Sequence, residues 1–238
     1  MTIGISTSMQ TGADAQCLAG NGIIFVFRYY SATTTISTKR LTLAEAQALV
    51  SAGIQLGVAY EDGPTSVDYF SNGRGIQDGG RAWQYAQQIG QPAGSAIYFA
   101  VDYDALSAEL TAIASYFQGV QSGLDTASGG VSSYSIGVYG SGLVCQTIKQ
   151  DQNLAKYSWM AESPKWQGTD VYAGWDVMQA PATSPLCSFA GPIPGTPAQY
   201  EECRAIGDFG GFTLQLPQSH NLHIRNRSAK LKTQMKRR

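Results

Sequence analysis

Short apolar segments alternate with helix-patterned ones along most of this chain, and that alternation restricts the fold more than any other feature. It is the signature of βα units wound around a parallel sheet. Strands are predicted at Ile3–Ser8, Ile23–Tyr30, Gln55–Glu61, Ile97–Asp104, Ser135–Ser141, Tyr157–Ala161, Tyr172–Gln179 and Phe212–Leu216. Helices are predicted at Ala13–Ala19, Leu43–Ala52, Gly80–Ile89, Leu106–Gly123 and Leu143–Gln150. Thr42 is a good N-cap for the second helix, Glu45 three residues on completes a capping box, and Gly53 closes it. The sixth and seventh crossovers are irregular. Ser163–Asp170 is short and Pro181–Gly211 is long and proline-rich, with Tyr200–Ile206 as the candidate for the missing helix.

Side-chain parity separates a closed barrel from an open sheet. In the third strand Leu56, Val58 and Tyr60 oppose Gln55, Gly57, Ala59 and Glu61. In the fourth, Ile97, Phe99, Val101 and Tyr103 oppose Tyr98, Ala100, Asp102 and Asp104. One face is bulky and apolar, and the other is mostly small and turns polar at its carboxyl end. A barrel wrapped by helices gives that contrast, whereas a doubly wound open sheet buries both faces and reads as continuous apolar runs. The second strand does read continuously, which keeps the open sheet as the runner-up. The length, 238 residues, suits one α/β barrel, which takes roughly 200 to 250. The expectation is a single α/β domain, a (β/α)8-like TIM barrel over 1–216 with irregular sixth to eighth units, followed by a basic, disordered tail at 217–238.

Charge and composition exclude several classes. Seven of the 16 basic residues lie in Arg225–Arg238, so the rest of the chain holds nine against 17 acids, a net −8. A body so acidic is a poor nucleic-acid binder, since phosphate contacts need clustered Lys and Arg. The longest apolar run, Ala96–Val101, is far short of the about 20 residues that span a bilayer. Met1-Thr2-Ile3-Gly4 shows no Sec-type signal. Cys17, Cys145, Cys187 and Cys203 form no C-x-x-C pair and have no neighbouring His, which argues against zinc. Cys187 and Cys203 bracket the proline-rich insertion and are either bridged or two buried thiols.

The sharpest chemical feature is Tyr98-Phe99-Ala100-Val101-Asp102-Tyr103-Asp104. Carboxylates at i and i+2 of a strand stand on one face about 6.5 to 7 Å apart, at the end where barrels place active sites. Like charges so close raise at least one pKa, leaving one acid protonated to donate and one ionised to stabilise positive charge. That is what glycoside hydrolysis requires. The competing reading has Asp102 or Asp104 merely capping the next helix, and paired carboxylates also suit a hard cation. Glu61 shares the inward parity of the third strand as a third acid. Arg28, Tyr30, Tyr60, Tyr139, Trp159, Trp175 and Gln179 lie in or near strand ends as candidate sugar contacts, with core packing as the alternative for each aromatic. A serine hydrolase is disfavoured: Tyr139-Gly140-Ser141-Gly142 lacks the full G-x-S-x-G pattern, and the only histidines are His220 and His223. Asn226-Arg227-Ser228 fits a glycosylation acceptor.

Taken jointly, Gly4-Ile5-Ser6-Thr7-Ser8, Arg28-Tyr29-Tyr30-Ser31, Lys39 through Leu49, Ile97 through Asp104 and Ile136-Gly137-Val138-Tyr139-Gly140-Ser141 resemble the glycoside-hydrolase-like domain family of bacterial secreted and phage-associated proteins, related to the family 25 lysozymes. The resemblance runs from Gly4 to about Gln179. It implies a barrel and a peptidoglycan-directed glycosidase, with Asp102 and Asp104 matching the acidic pair of the fourth strand. Family 25 lysozymes usually carry Asp-x-Glu there, so Asp104 is one methylene shorter than the usual donor. Ser6 stands where such families usually place Asp, and the expected last strand has Thr213 and Gln215 instead of an acid.

The expected function is therefore lysozyme-like hydrolysis of cell-wall peptidoglycan or a related amino-sugar polymer, at the envelope or outside the cell, with no cofactor, metal or membrane partner. Asp104 is expected to protonate the leaving oxygen and Asp102 to stabilise the oxocarbenium-like centre, with Glu61 in reserve. The alternative is a non-catalytic glycan-binding or structural module of a phage or secretion particle, and a metal-dependent hydrolase is the weakest reading.

Overall fold

The computed structural model describes residues 1–215 except 131–133, 162 and 197. The expected tail at 217–238, His220, His223 and Asn226 lie outside the described residues. The chain runs β1 (Thr2–Ser6), α1 (Ala15–Gly20), β2 (Phe25–Tyr30), α2 (Leu43–Ser51), β3 (Gln55–Tyr60), α3 (Asn72–Ile89), β4 (Ala96–Ala100), α4 (Leu110–Ala127), β5 (Ser135–Gly140), α5 (Gly142–Cys145), which continues as a π-helix over Gln146–Asp151, then β6 (Tyr157–Met160), β7 (Val177–Pro181) and β8 (Glu201–Ala205). The eight strands close into a barrel in sequence order. β1 to β7 pair parallel, while β8 pairs antiparallel with both β7 and β1.

Two apolar layers follow from the strand parity. Ile5, Val26, Leu56, Val58, Ile97, Phe99 and Val138 face outward under the helices. Phe25, Phe27, Tyr98, Tyr157, Trp159, Val177 and Cys203 fill the interior. Interior rings fit because neighbouring strands supply glycine. A Cβ on Gly57 would sit 2.6 Å from the Phe27 ring, and one on Gly137 2.5 Å from the Tyr98 ring. Small residues thus complement large ones across the barrel, as close packing demands.

The last strand corrects the sequence reading. Tyr200–Ile206, expected as a helix, contains β8, and of the stretch expected as a strand at Phe212–Leu216 the described residues hold a single bridge, from Phe212 to Leu56. The chain after β8 instead runs beneath the strand starts, with Phe209 packed against Phe25 and Phe27 and accepting a hydrogen bond from Tyr98 Oη at 2.7 Å through its carbonyl. β7 begins five residues later than expected. α3 begins eight residues earlier, capped by Ser71, whose hydroxyl accepts the Arg74 N–H at 3.2 Å.

Thr42 caps α2 as expected, accepting the Glu45 N–H at 3.2 Å, but the Glu45 carboxylate does not close a capping box. It turns inward to the Arg28 guanidinium at 2.7 Å and to the Thr11 N–H and hydroxyl at 2.8 and 2.7 Å. Charge pairing in a buried site is worth more to that carboxylate than a bond to a helix end open to water.

The cysteine pairing also differs from the sequence expectation. Cys187 is bridged to Cys17, with Cα atoms 5.9 Å apart. Cys203 is a free buried thiol in the barrel interior. The bridge and a bond from Ser188 Oγ to Asp14 Oδ2 at 2.7 Å fasten the β7–β8 connection to the α1 region. Among the described residues no helix is long and apolar enough to cross a membrane.

Candidate active site

The carboxyl ends of the parallel strands form the open mouth of the barrel. Because β8 runs the other way, its first residue reaches the same rim. Glu201 lies in register between Ser6, at the end of β1, and Pro181, at the end of β7. A cup of about 190 Å³ opens there, lined by Tyr29, Ala59, Glu61, Ala100, Asp102, Tyr139, Trp159, Gln179 and Glu201. It adjoins a groove of about 280 Å³ that shares Tyr29, Glu61 and Glu201 and adds Ser6, Thr7, Ser8, Lys39, Gln199 and Tyr200.

Of the residues expected from sequence, Asp102, Glu61, Tyr139, Trp159 and Gln179 line this cup and Asp104 does not. β4 stops at Ala100, so the alternation that placed Asp102 and Asp104 on one face has ended before either residue. The Asp102 N–H donates to the Pro64 carbonyl at 3.0 Å, which holds its side chain at the mouth. The backbone then turns at Tyr103, and Asp104 Oδ1 accepts the Gln167 N–H at 2.8 Å, anchoring the β6–β7 connection. The carboxylate pair at i and i+2 is therefore not the pair that faces the cup.

Four expected sugar contacts also lie elsewhere. Arg28 and Tyr30 point outward from β2. Arg28 is fully buried against Glu45 and the Thr7 and Thr38 carbonyls, and Tyr30 Oη donates to Gln91 Oε1 at 2.9 Å. Their neighbour Tyr29 is the residue that enters the cup. Tyr60 belongs to the outer layer and donates to Asp62 Oδ2 at 2.8 Å. Trp175 precedes β7, beyond the reach of its parity, and packs on the outer core.

Sequence reasoning missed Glu201 altogether. A signal was present, because Glu201, Cys203 and Ala205 alternate with Glu202 and Arg204 at the period of a half-polar strand.

Three carboxylates now share one partly enclosed space. Glu61 is ion-paired to Lys39 at 2.5 Å, and the Lys39 ammonium lies 5.0 Å above the Tyr29 ring. Among the described residues Asp102 and Glu201 form no ion pair. Burial, and then the negative charge of Glu61, push the Asp102 pKa up to about 6 against the opposing pull of Lys39. Burial and then Asp102 push Glu201 up to about 7, with Glu61 adding to the rise and the Ser6 hydroxyl opposing it. Near neutral pH the cup holds one acid that is largely ionised, Asp102, and one that is still about half protonated, Glu201. Around them stand Tyr29, Tyr139 and Trp159, the last two with ring centroids 4.7 Å apart.

Comparison with known proteins agrees with this architecture. The uncharacterized protein YbfG of Bacillus subtilis is 34% identical over 159 residues, which is 63% of this chain and 21% of YbfG. This chain thus spans only a small part of that relative. The Tat-secreted protein Rv2525c of Mycobacterium tuberculosis, solved with L-tartrate, superposes with a TM-score of 0.70 over 88% of this chain and 98% of its own, at 17% identity. A muramidase from Trichobolus zukalii superposes with a TM-score of 0.53 over 87% of this chain and 95% of its own, at 13% identity. At such identities the likeness to both structures is one of fold. The model of one family matches residues 16–190, most of the barrel, and the chain belongs to that family, the Rv2525c-like, glycoside hydrolase-like domain.

Proposed function

We propose that this barrel hydrolyses a β-linked amino-sugar polymer, most specifically the peptidoglycan of the bacterial wall. The observation that carries the reading is that Asp102 and Glu201 line one mouth beside aromatic faces, where burial and neighbouring negative charge push both carboxylates up. Glu201 replaces Asp104 as the proton donor to the leaving oxygen. Ionised Asp102 stabilises the positive charge that develops at the anomeric carbon. Burial and then the charge of Asp102 favour the protonated form of Glu201, and Glu61, ion-paired to Lys39, adds a smaller push the same way. Tyr29, Tyr139 and Trp159 offer ring faces to the apolar side of a sugar, and Gln179 offers an amide. The fold shared with a muramidase supports the choice of substrate. Action at the envelope or outside the cell is supported by the Cys17–Cys187 bridge, which persists only under oxidising conditions.

The test is release of reducing ends from purified walls. Asp102→Asn and Glu201→Gln are each expected to lose about 10²- to 10⁴-fold, while Asp104→Asn keeps activity within about tenfold of wild type. Equal release by all four proteins refutes the assignment. Tight wall binding without release by the wild type favours a glycan-binding module instead.

A further inference from the structure

One side of the Glu201 carboxylate is tied into a chain of hydrogen bonds to which the proton transfer outlined above assigns no part. The Tyr139 hydroxyl donates to Gln179 Oε1 at 2.9 Å. Gln179 Nε2 donates to Ser6 Oγ at 3.4 Å. Ser6 Oγ in turn donates to Glu201 Oε2 at 3.5 Å. Ser6 and Gln179 are 1% and 8% exposed, so water does not compete freely for either. The three donors sit on three different strands, β5, β7 and β1, and converge on the first residue of β8.

The direction of this chain is set at its far end. The Tyr139 phenol is held well above its ordinary pKa by burial and by the acids around it, so it keeps its proton and must donate it. Gln179 Oε1 is the acceptor it reaches. Turning the Gln179 amide over would present its NH2 group to the phenol and take away the acceptor that its O–H reaches within the fold. With Oε1 of Gln179 committed, Nε2 faces Ser6, and the Ser6 hydrogen is left for Glu201. The Cys203 thiol also borders Ser6, but sulfur is a far weaker acceptor than a carboxyl oxygen.

We propose that Ser6, Gln179 and Tyr139 are positioning residues that hold Glu201 Oε2 as a permanent acceptor, so that its exchangeable proton resides on Oε1, the oxygen left to present to the cleft. Their kinetic role rests on the glycosidase reading, whereas the placement of the proton does not. A carboxylic acid whose proton sits on the wrong oxygen must rotate before it can protonate a substrate. The chain removes that step, and this is orientation supplied in advance.

The sign of one titration decides the matter. Ser6 donates to the ionised carboxylate, so removing its hydroxyl destabilises the charged form and raises the Glu201 midpoint. In the reversed arrangement the Ser6 hydroxyl accepts from protonated Glu201, and its removal lowers the midpoint. Other groups facing Glu201 are Glu61, Asp102, Lys39, Tyr29, Tyr139 and Cys203; Ser6→Ala replaces none of them, and Cys203, which loses its contact with the Ser6 hydroxyl, is a buried thiol that stays protonated throughout.

The experiment follows the Glu201 side-chain carbon by NMR through a pH titration of the full chain, beside the pH profile of reducing-end release. For Ser6→Ala, the midpoint and the basic limb of the profile are both expected to move upward by about half to one pH unit, with kcat falling about tenfold and KM little changed. Gln179→Leu moves the midpoint the same way, and Ser6→Thr, which keeps the hydroxyl, restores both. A midpoint that stays in place or moves downward in a folded Ser6→Ala protein overturns the proposal and leaves the glycosidase reading intact. An upward movement in a protein that releases no reducing ends supports the proton placement and removes the glycosidase reading.

Discussion

Asp102 and Glu201 are carried into the cleft on walls of Tyr29, Tyr139 and Trp159, and the cost of ionising them there has a thermodynamic signature. Both titrate higher in the folded chain than in an unfolded one, about 6 and about 7 against ordinary values of 3.8 and 4.5. The folded state therefore binds the extra protons between those limits, and stability falls as pH climbs from about 4 to about 7. Glu201→Gln removes the charge. It should match the wild type near pH 4 and exceed it at pH 8 by about 1 kcal/mol, a figure reduced for the water that reaches Glu201 through the mouth. Urea denaturation at the two pH values checks this, and a variant less stable than wild type at pH 8 contradicts the electrostatic account. At this scale the sequence was legible where one face of a strand differed from the other. The inward faces of β3 and β4 follow from their alternation of bulky and small residues, and Glu61 and Asp102 stand just past the ends of those strands, at the same mouth. Phe25-Val26-Phe27-Arg28-Tyr29-Tyr30 is apolar on both faces because one packs the barrel interior and the other the helices. Nothing in that pattern tells Tyr29 from Tyr30, and Arg28 was read into a mouth it turns away from.

Among the elements, α3 and α4 come together through paired glycines. A Cβ at Gly75 or Gly79 would collide with the Tyr116 or Val120 carbonyl oxygen, and one at Gly119 or Gly123 with that of Asn72 or Ile76. Backbone thus meets backbone across the helix pair, and no side-chain motion can relieve an added methyl group. Gly79→Val is expected to cost about 3 kcal/mol or more, read as a lowered denaturation midpoint, although glycine is a poor helix former. A cost below about 1 kcal/mol would show that the helices part easily. The same glycines hid the first half of α3 from sequence reasoning, since Asn72-Gly73-Arg74-Gly75 has the composition of a loop and its helical state is imposed by packing. β8 was hidden for a different reason. It follows a proline-rich connection and pairs antiparallel, whereas the alternation of strand and helix that identified the other units prepares for a parallel strand.

For the whole molecule, the acid that completes the cup is placed by a connection that the disulfide secures. Residues 182–200 lead from β7 to Glu201 without a helix among those described. They are fastened by Cys17–Cys187, by Ser188 to Asp14, and by Thr7 Oγ1 to the Gln199 carbonyl at 2.5 Å. Cys17→Ser is expected to lower stability by about 2–5 kcal/mol, and the wild type should show the same loss under reductant. Thermal melts with and without reductant test this, and a wild type indifferent to reduction excludes the bridge as a structural tie. Phe209 and Phe212 are seated under the strand starts, at the pole where Thr2 also lies opposite Ala205. That pole is thus plugged by the chain's own rings, so whatever reaches Asp102 and Glu201 enters through the rim at the carboxyl ends of the parallel strands.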